Sequence, residues 1–133
     1  MSPIEDEHPD VLQNIEFAIV NTYRQHRELS DFAVKRVLEA SLEVYAAEAA
    51  GRPPRNARLD ELEQLLLERV RQMCEWRLGR APIGGGQGEV SEVNPITIDE
   101  MVRCLKRIIK SVNRWNKVGG RQGYLNFIVQ YVR

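Results

Sequence analysis

Apolar residues recur along most of this chain at steps of three and four, the period of a backbone turning about 100° per residue. Over 9–28, Val11, Leu12, Ile15, Ala18, Ile19, Thr22 and Tyr23 fall on one arc, and Pro9 suits a first helical turn. Ser30 and Asp31 supply an N-cap signal for a second helix. Its stripe of Ala33, Val34, Val37, Leu38, Ser41, Leu42, Tyr45 and Ala49 ends at Gly51, a natural residue for the left-handed position after a helix. With so short a joint, these two helices are expected to double back as an antiparallel hairpin. Pro53 and Pro54 break the pattern over 51–58, because proline lacks a donor and disfavours helix in the residue before it; a short, stiff linker is expected. A third helix is predicted over 59–78 on Leu59, Leu62, Leu65, Leu66, Val70, Met73 and Cys74, closed by Gly79.

Residues 79–96 contain five glycines and no period, which predicts a mobile Gly-rich loop longer than compact domains usually carry. Thr97 and Glu100 have the spacing of a capping box, in which each side chain bonds the other residue's amide. A fourth helix starts there on Ile98, Met101, Leu105, Ile108, Val112 and Trp115, and ends before Gly119 and Gly120. Residues 124–132 are rich in β-formers yet place Tyr124, Leu125, Ile128, Tyr131 and Val132 at helical spacing; with no other strand to pair with, a short helix is expected. The expected fold is all-α: a bundle of four amphipathic helices plus a short C-terminal helix, with the Gly-rich loop between the third and fourth. One helical domain is expected over 1–133, with 1–8 as a flexible N-terminus.

Composition narrows the class. The chain has 133 residues, 43% of them hydrophobic and 29% charged, and a formal net charge of zero. That is enough apolar material for a self-sufficient core and the opposite of the disorder signature. The longest apolar runs, 17–20 and 44–47, are four residues, so no membrane span is predicted. The acidic N-terminus has no apolar segment, which predicts the absence of a secretory signal and a cytoplasmic address. Cys74 and Cys104 lie on separate helices without C-x-x-C spacing and are expected to be buried, reduced thiols. His8 and His26 are 18 positions apart and have no metal-ligand spacing. Neither a metal, a cofactor nor a catalytic triad is predicted.

Charge is the most informative feature. Residues 1–50 carry 4 Lys/Arg and 10 Asp/Glu, residues 51–100 carry 7 and 9, and residues 101–133 carry 8 and none. In the fourth helix Arg103, Lys106, Arg107, Lys110, Arg114 and Lys117 fall within roughly 100° of arc, opposite the apolar stripe, and Arg121 continues the line. Six like-charged pairs at i+3 or i+4 result, unfavourable by about 1–3 kcal/mol together before screening. Two sources of counter-charge compete. One is internal: Glu16, Glu39 and Glu43, or a second subunit. The other is external: nucleic-acid phosphates, an acidic protein or an anionic membrane surface. A sequence pI near 6.7 favours the internal source, since dedicated nucleic-acid binders more often exceed 9.

Other candidates carry less. The glycines at 84–88 follow no strand, lack the G-K-[ST] ending of a phosphate loop and lead to Glu89 and Glu92. The Gly119 to Gly123 turn, with Lys117 and Arg121, could hold an anion or be an ordinary helix stop. Glu48, Arg69 and Arg77 each point toward an apolar arc and could form a buried polar cluster. Phe17 and Val20 lie opposite the main stripe of the first helix, so that helix is either central or meets a partner; Tyr124, Phe127 and Tyr131 offer a second contact surface. The favoured expectation is a noncatalytic interaction or regulatory module that self-associates as a homodimer or binds another protein. The alternative is an accessory binder of nucleic acid or another polyanion through the fourth helix.

Overall fold

The computed structural model describes residues 9–55, 58–80 and 95–120. Those residues form four helices, α1 (Pro9–Gln25), α2 (Asp31–Ala50), α3 (Glu61–Leu78) and α4 (Ile98–Val118), and no strand. The expected short helix at 124–132 and most of the Gly-rich loop lie outside the described residues.

The helix ends follow the capping chemistry in the sequence. Ser30 caps α2 by accepting from the Ala33 amide at 3.1 Å, and Gly51 closes it with φ of 72°. Thr97 and Glu100 form the expected box: the Thr97 amide donates to Glu100 Oε1 at 2.9 Å and the Glu100 amide to Thr97 Oγ1 at 3.2 Å. A second box at Asp60 and Glu63, with distances of 3.0 and 2.7 Å, starts α3 at Glu61, two residues later than the periodicity implies. Asp60 can satisfy orphan amides that Leu59 cannot, so the cap fixes the start. Likewise α1 ends at Gln25, three residues short of the expected 28, because the chain turns through 26–29 and buries Leu29 completely.

The direction of each helix follows from the contacts at its ends. Arg36 meets Glu63, and Tyr45 meets Glu75, so α2 and α3 run parallel. Asp31 at the start of α2 lies against Gly120 just past α4, so α2 and α4 run antiparallel. The expected side-by-side hairpin of α1 and α2 is not formed. The chief neighbour of α1 is α3, and α2 packs on α3 and α4. Because α2 and α3 run parallel, the start of α3 lies at the level of Arg36, about 21 Å along the axis from Ala50. Arg52 and the Arg55 amide on Glu43, and Arg36 on the Arg58 carbonyl, pin the linker to α2 as it passes.

One core joins the four helices. Ile15, Ile19, Leu38, Tyr45, Leu66, Leu105 and Ile108 are among its fully buried side chains. From α4 come Met101, Leu105, Ile108, Val112 and Trp115, the predicted stripe apart from the half-buried Ile98, together with Cys104. Val20 also belongs to the core, at 5% exposure, as does Glu16. Val20 is therefore no surface for a partner, whereas Phe17, on the same side of α1, is exposed. Cys74 and Cys104 are buried thiols, and burial pushes the Cys74 thiol up from its ordinary value. Among the described residues no helix is long and apolar enough to cross a membrane.

Candidate functional site

The strongest candidate is the outer arc of α4. The inner arc of that helix is fixed by the core, and α2 is its main neighbour. Segregation of apolar from polar residues is sharper here than on any of the other three helices. The core therefore sets the helix's rotation, and the opposite arc is held toward solvent. Arg103, Lys106, Lys110, Arg114 and Lys117 are all exposed, while Arg107 on the same arc is half-buried. Among the described residues none of those five exposed cations forms an ion pair. Arg121, the predicted continuation, lies outside the described residues.

Two of the carboxylates expected to compensate this stripe are engaged elsewhere. Glu39 lies 4.0 Å from Lys35, one turn away on α2. Glu43 accepts from Arg52 at 2.8 Å and from the Arg55 amide at 3.4 Å, and the Arg52 guanidinium holds its carboxyl below the ordinary value. Glu48 pairs with Arg80 at 2.6 Å, and Arg80 also reaches Glu75 at 4.0 Å. Glu75 in turn accepts from the buried Tyr45 hydroxyl at 2.9 Å, and desolvation raises the phenol's pKa. Glu39, Glu43 and Glu48 are thus committed on the α2–α3 side.

The polar cluster of Glu48, Arg69 and Arg77 is not assembled. Glu48 is exposed with Arg80, Arg69 donates to Gln25 Oε1 at 3.1 Å, and Arg77 is buried with its guanidinium 6.0 Å from the Trp76 ring centroid. The Gly119–Gly120 turn is also less open to an anion than its sequence suggests. A Cβ on Gly120 would stand 2.6 Å from Asp31 Oδ2, so a carboxylate of this chain already lies against that backbone. Asp31 Oδ1 accepts from the Tyr23 hydroxyl at 2.7 Å, which ties the ends of α1, α2 and α4 together.

Among the described residues, a surface cleft of about 530 Å³ is lined by Glu28, Asp60, Glu61 and Glu63 beside Ser30 and Ala33. Asp60 and Glu63 cap α3, and Glu63 also faces Arg36 at 3.5 Å, so these carboxylates already serve the fold. A cleft of about 380 Å³ between α1 and α3 contains Phe17, Leu65 and Met73. A third, about 300 Å³, lies where the linker crosses α2. Among the described residues no group of three His, Cys, Asp or Glu side chains is placed to hold a metal ion. Among the described residues Phe17, at 46% exposure, and Phe32, at 66%, are the large exposed hydrophobics; the sequence pattern singled out the first and missed the second. Phe32 was legible only as an apolar residue in the first turn of α2, outside the stripe. The candidates Tyr124, Phe127 and Tyr131 lie outside the described residues. Comparison with protein-family models, with curated proteins and with solved structures finds no match.

Proposed function

We propose that this protein is a noncatalytic binding module whose α4 outer face holds a polyanion. One observation carries the reading: five exposed cations share one helical arc, and none has a carboxylate partner among the described residues. Like charges so close repel one another, and an external row of anions relieves that repulsion along the whole arc. Engagement of Glu43, Glu48, Glu63 and Glu75 in structural contacts supports the noncatalytic part. Two buried thiols suit a reducing, cytoplasmic setting. The test is a titration with inorganic polyphosphate at about 50 mM salt. Binding that weakens steeply with salt, and that is lost in the Lys110→Gln, Arg114→Gln, Lys117→Gln variant with unchanged helicity, supports the reading. No binding at low salt rejects it.

A second reading is contact with a second copy or another protein, favoured by the exposure of Phe32 and Phe17. Light scattering of the purified protein tests the homodimer; a monomer at all concentrations, unchanged by Phe17→Ser or Phe32→Ser, rejects it.

A further inference from the structure

We infer that the polyanion suited to α4 is a double-helical nucleic acid, gripped along its phosphate backbone without regard to sequence. This rests on the polyanion reading above and names its ligand class. The argument starts from the shape of the charge array. Arg103 and Lys117 are 14 positions apart on one uninterrupted helix, so the array is straight and about 21 Å long. Packing of the inner arc into the core keeps it straight. A duplex presents one negative charge per about 1.7 Å of axis, twice the axial density of one of its strands, and it is stiff over far longer distances than 21 Å. A rigid row of cations meets such a ligand with little ordering cost on either side.

The same face lacks what a single strand or a membrane surface needs. Single strands are held by bases stacked on exposed aromatic rings, which contribute about 1–3 kcal/mol per base. The aromatic residue of α4, Trp115, is 4% exposed and turned into the core. Its exposed arc offers Arg, Lys, Asn113 and Asn116. Helices that lie in a membrane surface bury an apolar face in the headgroup region. The apolar face of α4 is already covered, and among the described residues the large exposed hydrophobics, Phe17 and Phe32, sit on α1 and α2. The acidic first turn, Asp99 and Glu100, opposes phosphate at the helix N-terminus, so the duplex would lie along the arc from Arg103 onward and end-on contact is disfavoured.

Fluorescence anisotropy of the full chain at about 50 mM salt tests this with five labelled probes. They are a 20-base-pair DNA, the same 20-mer as a single strand, inorganic polyphosphate, poly-glutamate, and vesicles rich in an anionic phospholipid. The expected result is duplex binding at least tenfold tighter than single-strand binding, indifferent to duplex sequence. Five phosphate contacts would weaken it about 500-fold between 50 and 200 mM salt. The variant Lys110→Gln, Arg114→Gln, Lys117→Gln should reduce the salt slope by about three contacts while circular dichroism stays unchanged. Single strands, poly-glutamate or vesicles bound as tightly as the duplex would overturn the duplex inference and leave the polyanion reading standing. Absence of binding to all five would overturn both.

Discussion

On the α2–α3 flank, cations are held by carboxylates: Arg36 by Glu63, Arg52 by Glu43, Arg80 by Glu48 and Glu75, Lys35 by Glu39. On the outer arc of α4, Arg103, Lys106, Lys110, Arg114 and Lys117 have no such partner among the described residues. Both regions lie on regular helices, but α2 and α3 carry carboxylates among their cations and α4 has none after Glu100. Neighbours widen the difference. The linker 51–60 and the end of α3 bring opposite charges up to α2, whereas the main neighbour of α4 lies beneath it, on the apolar side. Charges acquire structural work where a second segment crosses them; where nothing crosses, they remain available to a ligand.

Several perturbations sharpen that contrast. The largest effect belongs to the inner arc of α4: Leu105→Ala removes a fully buried side chain and should cost about 2–5 kcal/mol in denaturant unfolding. Glu63→Ala deletes half a capping box and the partner of Arg36, and should cost about 1–3 kcal/mol, measured the same way. Gly120→Ala places a Cβ at φ of 57° against Asp31 Oδ2, and should cost about 1–2 kcal/mol from backbone conformation alone. A loss much smaller than this would show that Gly120 does not hold the left-handed conformation in solution.

The smallest effect is a titration. Because Arg52 depresses the folded pKa of Glu43, the contribution of that carboxylate is complete above its ordinary value of 4.5 and is lost as pH falls through the lowered folded value. Carboxyl chemical shifts should show a Glu43 midpoint below 4.5 that returns upward in Arg52→Met. An unchanged midpoint would remove the linker contact from the account.

Much of this was legible in the chain. The stripe of α4, its Thr97 box, the Ser30 cap and the closures at Gly51 and Gly79 are local devices, set by residues within one or two turns. The basic arc was legible for the same reason, since it needs only the helical period. What could not be read depends on distant pairs. Nothing local shows that α2 and α3 run parallel, because Arg36 and Glu63 are separated by the linker. Nor does periodicity reveal that Glu43 turns to Arg52 or that Asp31 lies against Gly120. Val20 was misplaced because a single helix cannot show how many neighbours surround it.

Thermal unfolding at low ionic strength, comparing the native chain with the Arg103→Gln, Lys106→Gln, Lys110→Gln, Arg114→Gln, Lys117→Gln variant, tests the unpaired state of the α4 arc most directly. The melting temperature should hold or rise, since up to about 1–3 kcal/mol of like-charge repulsion is relieved. A fall of several degrees would mean that these cations are held by carboxylates within the protein and that the arc is not available to a ligand.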